Sequence, residues 1–177
     1  VSGMRKGEAL ALTWKDLDFQ NETVSVNKTV ARGLGNRLLI QTPKTATSKR
    51  TIILDGITLS MLSTWRKRQA MDFLKLGFNT MNEEQLIFPN TKNELMIPTK
   101  PDQKLDRMIK KNGLTRITVH GFRHTHCSLL FEAGASIKEV QDRLGHSDIK
   151  VTMNIYAHVT EKAKEKTAEK FAAYVNF

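Results

Sequence analysis

His120-Gly121-Phe122-Arg123 sets a histidine and an arginine three residues apart, and at a helix start that spacing puts both on one face. The free N–H groups and positive dipole of the same helix end form an anion site. The planar guanidinium of Arg123 can hold a phosphate through two parallel bonds. The alternative is a surface His and Arg on a basic helix. In Leu144-Gly145-His146, the glycine ends one helix and aims His146 into the gap before the next. A lone histidine there can equally be structural. Ten residues on stands Tyr156, within Asn154-Ile155-Tyr156-Ala157-His158, where core packing is the default. Near the start, Arg5 and Glu8 share a helix face. A buried Glu8 would orient the guanidinium, whereas an exposed pair contributes only about a few tenths of a kcal/mol. The stretch Thr42 to Ile52 carries Lys44, Lys49 and Arg50. A lysine on such a loop is normally solvated. Lys49 and Arg50 read either as phosphate-contacting positions or as plain surface.

The elements that must position these residues can be read from periodicity and punctuation. Ser2 to Thr13 reads as a helix with Ala9 and Leu10 inward, after a tight start at Gly3. Glu22 to Val30 alternates, with Val24, Val26 and Val30 on one face of a strand. Gly33-Leu34-Gly35-Asn36 is a turn, Leu38 to Thr42 the returning strand, and Arg50 to Leu54 a third strand. Together they form one small antiparallel sheet, with Pro43 to Lys49 as the second connection. From Ile57 the period becomes helical, with Leu62, Trp65, Gln69, Phe73 and Leu76 on one stripe and Gly77 as the stop. Asn79 to Pro101 is mostly loop around Leu86-Ile87-Phe88, and Leu105 to Ile109 lies in a helix ending near Gly113. Thr118 caps a helix to about Ala133, stopped by Gly134. Ser136 and Glu139 form a capping box for a helix with the stripe Ile137, Val140 and Leu144, ended by Gly145. Ser147 caps a helix toward Tyr156, and Thr160 opens a charged terminal helix with Ala163, Thr167 and Phe171 inward.

The 177 residues suffice for one domain with a sizeable core or two small ones. No apolar run approaches membrane-span length, and no signal-peptide pattern opens the chain. An opening on Val1 implies that the true start lies upstream. Cys127 is the one cysteine, cannot form an internal disulfide and reads as a small buried hydrophobe. A reducing cytoplasm fits. Lys and Arg total 28 against 18 acids, giving net charge +10 and a pI near 9.8. That balance suits a nucleic-acid partner or a merely soluble basic protein.

Taken in order, these segments resemble the tyrosine recombinases, the group of phage integrases and Xer-type resolvases. That family's first box, Gly-x-Arg-x-x-Glu followed by Leu-x-x-Leu-x-Trp, is matched less strictly by Gly3 to Trp14, which include Gly3, Arg5, Glu8, Leu10, Leu12 and Trp14. Its hairpin lysine is matched by Lys44 in Thr42-Pro43-Lys44-Thr45, with Ser48, Arg50 and Ile52 following. Its second box is matched by His120-Gly121-Phe122-Arg123-His124-Thr125, and its last by Leu144-Gly145-His146-Ser147 through Thr152 to Tyr156-Ala157-His158. Each box alone is a weak signal; the ordered set is specific and spans the whole chain. The ten-residue step from His146 to Tyr156 resembles integrases of phages and conjugative elements more than Xer-type proteins.

The resemblance implies an α+β, mainly α fold: a helical catalytic domain with a small three-stranded antiparallel sheet. It implies site-specific DNA recombination and integration by a phage or mobile-element integrase. Tyr156 would attack the scissile phosphodiester to give a 3′-phosphotyrosine. Arg5 and Arg123 would clamp the non-bridging oxygens, and Lys44 would protonate the leaving 5′-oxygen. His120 would assist proton transfer from the tyrosine, His146 would donate a hydrogen bond to the phosphate, and Glu8 would fix Arg5. Lys49 and Arg50 would contact DNA. His124 and His158 follow the pattern as packing or DNA-contact residues, and His126 reads as structural. Energy held in the phosphotyrosine makes ATP and metal unnecessary, so no cofactor is expected.

The partner implied is double-stranded DNA at attachment or core sites, met as a homo-tetramer of the full-length protein, with accessory DNA-bending or directionality proteins and no membrane. The location implied is the bacterial cytoplasm, at the nucleoid when bound to DNA. Residues 1–177 read as an N-terminally truncated catalytic domain without core-binding and arm-binding domains. For 160–177 two readings stand, a helix docked on a neighbouring protomer and a solvated helix on its own domain. The competing functions are a Xer-type chromosome resolvase, type IB topoisomerase-like activity, and a DNA-binding module with a dead site.

Overall fold

The computed structural model describes residues 2–43, 48–146 and 148–161. The chain opens extended, because Gly3 sits at φ +67° and the Glu8 carboxylate accepts from the Arg5 backbone N–H at 2.8 Å. Helix α1 (Lys6–Ala11) therefore starts at Lys6 rather than at Ser2. A 3₁₀ turn (Trp14–Asp16) leads into β1 (Leu17–Asp18), β2 (Thr23–Val26), β3 (Thr29–Arg32), β4 (Leu38–Gln41) and β5 (Arg50–Ile53).

These strands make two sheets, not one. β1, β2 and β5 form a three-stranded antiparallel sheet in the order β1-β2-β5, with Val24 opposite Ile52 and Val26 opposite Arg50. β3 and β4 pair separately, with Val30 opposite Ile40. The single strand expected over Glu22 to Val30 breaks at Asn27-Lys28 because its valines have two destinations. Val24 and Val26 pack into a core with Leu12, Trp14, Leu17, Ile52, Leu54, Leu59 and Ile87. Val30 packs instead on Leu10 and Ala11 of α1. At the break, Lys28 Nζ pairs with the buried Asp16 at 2.7 Å and reaches Thr13 Oγ1 at 3.0 Å.

Helix α2 (Gly56–Leu74) is capped by Asp55, which accepts from the Thr58 N–H at 2.8 Å. Its inward stripe holds Leu59, Gln69 and Phe73; Leu76 lies past the helix end and is exposed. Gln69 is buried at no cost in unpaired groups. Its amide oxygen accepts from Trp14 Nε1 at 2.8 Å, and its Nε2 donates to the carbonyls of Leu86 and Ile87. Helix α3 (Thr99–Asn112) begins before Pro101, which sits in the first turn, where no helical N–H partner is missed.

The last helices follow their local signals. Thr118 Oγ1 accepts from the Gly121 N–H at 2.9 Å and caps α4 (Val119–Glu132). Ser136 and Glu139 form the expected box at the start of α5 (Ile137–Leu144), and Gly145 ends that helix at φ +66°. Helix α6 (Ile149–Glu161) runs through Thr160 instead of stopping before it. Ser147 and 162–177, with the terminal helix expected there and its docking, lie outside the described residues. Cys127, Phe131, Val140 and Leu144 make a second core, with Ile155 and Tyr156 packed against it. Val140 and Leu144 are fully buried, which stabilises the α4-α5-α6 unit by about 1.5–3 kcal/mol each. The architecture is thus mainly helical with a small three-stranded antiparallel sheet and a separate two-stranded one. None of the described helices is long and apolar enough to cross a membrane.

Candidate active site

Three arginines from three separate segments converge on one helix end. The left-handed Gly145 turns the chain away and leaves the last carbonyls of α5 open to outside donors. Arg50 Nε donates to the Arg143 carbonyl at 2.8 Å, Arg123 Nη2 to the Leu144 carbonyl at 2.7 Å, and Arg5 Nη2 to the Gly145 carbonyl at 2.9 Å. The negative end of a helix dipole favours cations at this place. Arg123 is anchored a second time, by Nη1 donating to the Gly3 carbonyl at 2.7 Å, and is 4% exposed.

Glu8 lies beneath this group, 2% exposed. Its Oε1 accepts from Arg5 Nη1 at 2.8 Å and Arg50 Nη1 at 3.2 Å. Its Oε2 accepts from Arg50 Nη2 and the Arg5 N–H, each at 2.8 Å. Burial pushes its carboxyl up, but the bonds from Arg50 and Arg5 outweigh this and hold it below the ordinary value. Burial, then the neighbouring Arg5 and Arg50, lowers Arg123 to about 10, so it stays charged at neutral pH. Three guanidinium groups against one carboxylate leave two positive charges without a described counter-ion in the cluster. Such a site stabilises an anion with two charged oxygens.

Burial disfavours the charged form of His146, His120 and His126. Burial first, then Arg123, Arg5, His124 and Arg50, lowers His146 to about 4. His146 is 9% exposed and its Nδ1 meets the Thr152 hydroxyl at 2.8 Å, which leaves Nε2 for a ligand. His120, in the first turn of α4, stands edge-on to His124 with ring centroids 4.8 Å apart. Its pKa is lowered by burial, then by His124, Arg123, Arg5 and Lys6, so it favours the neutral, proton-accepting form. His126 is buried against Gly3 and its Nε2 accepts from Arg143 Nε at 3.3 Å, a structural position.

Tyr156 is half-buried on α6, its ring edge-on to Phe131 at 5.1 Å between centroids. It packs on the same cluster as Leu144, whose carbonyl holds Arg123. The tyrosine and the cationic group therefore share one wall of packed side chains. The structure thus gathers Arg5, Glu8, Arg123, His120 and His146 around the end of α5, and packs Tyr156 on the cluster that includes the Leu144 side chain. Lys44 lies outside the described residues. Lys49 is exposed just ahead of β5. Arg50 is not the plain surface residue that was the alternative reading: its side chain is 6% exposed and bonded to Glu8 and to the carbonyls of Arg143 and Ser48. Sequence reasoning also gave no role to Thr152, fully buried behind His146; a threonine six residues after that histidine was the available signal. Among the described residues, no three His, Cys, Asp or Glu side chains are grouped to hold a metal ion.

Comparison with known proteins places this geometry. A "Tyrosine recombinase XerC-like" protein of Caldanaerobacter subterraneus subsp. tengcongensis is 33% identical over 178 residues, covering 95% of this chain and 46% of that protein. The "ICEBs1 integrase" of Bacillus subtilis is 30% identical over 174 residues, covering 96% of this chain and 45% of that protein. The Tn1549 transposon integrase, solved in complex with circular intermediate DNA, superposes with a TM-score of 0.77 at 27% identity, over 97% of this chain and 56% of that one. The chain spans about half the length of the curated relatives it matches. The description "Phage integrase family" matches residues 1–163, and the chain belongs to that family.

Proposed function

We propose that this domain cleaves and rejoins DNA strands for site-specific recombination, with Tyr156 as nucleophile. The observation that carries the reading is the uncompensated positive charge at the end of α5, built from Arg5 and Arg123 and fixed by backbone carbonyls before any ligand arrives. A phosphodiester acquires a second full negative charge in its pentavalent transition state, and this cradle matches that change. The Tyr156 oxygen bonds to phosphorus while the bond to the 5′-oxygen breaks, leaving a 3′-phosphotyrosine. The neutral His120 accepts the tyrosine proton, and Lys44 supplies one to the departing oxygen. His146 donates from Nε2 to a phosphoryl oxygen. Religation runs the same steps in reverse with a different 5′-hydroxyl, so no energy source is consumed.

The surface agrees with a DNA partner. Lys100, Lys104, Arg107 and Lys111 form an exposed stripe along α3 at helical spacing, and Arg116 follows it. Lys6 pairs with Asp102 in the first turn of α3 and so ties this basic helix to the site. Double-stranded attachment sites are the substrate, and the assembly is a tetramer of the full-length protein on DNA, joined by accessory bending or directionality proteins. The ten-residue step from His146 to Tyr156 favours an integrase of a mobile element over a chromosome resolvase.

The test is a nicked suicide duplex carrying the element's junction, incubated with the full-length protein. An SDS-resistant protein–DNA adduct is expected, and it disappears in Tyr156→Phe. No adduct with the unaltered protein, or an adduct that survives Tyr156→Phe, overturns the reading.

A further inference from the structure

We infer that Arg50 is a positioning residue of this site: it ties Glu8, the carboxyl end of α5 and the strand end of the lysine-bearing connection into one unit, and touches no substrate. The inference rests on the cleavage function proposed above.

Four of its five N–H donors are engaged. Nε donates to the Arg143 carbonyl at 2.8 Å, Nη2 to Glu8 Oε2 at 2.8 Å, and Nη1 to both Glu8 Oε1 and the Ser48 carbonyl at 3.2 Å. These partners lie 93, 42 and 2 residues away along the chain, so one guanidinium joins α5, α1 and the exit of the 42–49 connection. Glu8 then passes the constraint to Arg5 through 2.8 Å bonds to its side chain and backbone N–H. Of the two guanidinium groups on Glu8, Arg5 is the more exposed, at 38% against 6% for Arg50, and Arg50 has its donors turned to Glu8 and backbone carbonyls. Gly145 is shaped by the same group. A Cβ there would lie 2.8 Å from Arg50 Nη1 and 3.1 Å from its Cδ and Cζ. Glycine thus supplies both the left-handed turn and the space in which Arg50 lies. An ammonium cannot replace this fork: lysine's donors radiate from one point and cannot bridge a carboxylate and a helix-end carbonyl together.

A residue that orients a ligand-holding group typically changes its function by about 10–100-fold. Arg50→Lys and Arg50→Met are compared with the unaltered full-length protein and with Lys75→Met, an exposed lysine at the end of α2. Single-turnover adduct formation at saturating DNA is expected to fall by about 10–100-fold in both Arg50 variants, with DNA affinity unchanged and Lys75→Met cleaving normally. The acid limb of the pH–rate profile is expected to move to higher pH in Arg50→Met. Among the described residues, burial then acts on a Glu8 paired directly by Arg5, with Arg123 as a further cationic neighbour. Weaker DNA binding with an unchanged saturated rate would make Arg50 a phosphate contact and overturn the inference. A lowered melting temperature with normal cleavage and an unmoved pH limb would reduce it to a fold-holding ion pair. Loss of all folded protein in Arg50→Lys would do the same. The Tyr156→Phe control keeps the two ideas apart: failure of the unaltered protein to form an adduct counts against the cleavage function, not against Arg50.

Discussion

At the carboxyl end of α5, three arginines are held by hydrogen bonds of 2.7–2.9 Å to consecutive backbone carbonyls, and two of them share Glu8. On α6, Tyr156 is set by its ring, which packs edge-on against Phe131 and over the cluster of Cys127, Val140 and Leu144. The first arrangement is angular and polar; the second is apolar and far less directional. A carbonyl at a helix end cannot move unless the helix does, so the cradle keeps its shape with or without a phosphate. Ring packing on Phe131 sets how close Tyr156 lies. The cationic half of the site is therefore held by directional bonds to the backbone, and the ring of the proposed nucleophile by side-chain packing.

The sharpest test of this contrast is at Arg123. Arg123→Met removes the better-buried clamp and leaves the carbonyls of Gly3 and Leu144 without that donor. Adduct formation in single turnover is expected to fall by about 10²–10³-fold. Arg123→Lys is expected to recover little, and near-normal cleavage by it would show that the cradle needs charge but not geometry. The counterpart on the packed side is Phe131→Ala. It should destabilise the fold by about 3–5 kcal/mol in denaturant unfolding. In the folded fraction, cleavage should fall by roughly tenfold, about 1.4 kcal/mol of misplacement, with DNA affinity unchanged. Unaltered cleavage would mean that packing does not aim Tyr156.

Smaller effects refine the picture. Thr152→Val keeps the shape but leaves His146 Nδ1 without its partner, at a cost of about 1–2 kcal/mol in stability, and Thr152→Ser should restore it. The smallest effect is in pH. His126 and His146 are held at about 4, against an ordinary value of 6.5, mainly by burial. Their folded values are depressed, so the unfolded chain takes up protons first as pH falls. Stability is full above about 6.5 and declines between about 6.5 and 4. The melting temperature should therefore fall between pH 7 and pH 5. His126→Gln should flatten that slope without changing the cleavage chemistry at neutral pH.

Local signals were legible wherever structure depends on near neighbours. Thr118, Ser136 with Glu139, Gly113, Gly134 and Gly145 mark helix ends, because capping bonds and left-handed turns span only a few residues. The division of the strands was not legible. Val24, Val26 and Val30 present one alternating face in the sequence, yet they serve two cores, and nothing local distinguishes Val30's partners on α1 from Ile52. The partners of Arg50 were illegible for a related reason. A basic residue in a basic loop has the same local appearance whether it faces DNA or a buried carboxylate 42 residues away.

By itself the sequence proposed the membership of the site, namely Arg5, Glu8, Lys44, His120, Arg123, His146 and Tyr156, each from a short motif. Only the tertiary structure decided how they are held. The partners of the arginines include the carbonyls of Gly3, Arg143, Leu144 and Gly145, and every residue type has a carbonyl. A backbone acceptor leaves no mark in the side-chain alphabet. It becomes a specific partner when folding brings a helix end, with its carbonyls unclaimed, against donors from distant parts of the chain.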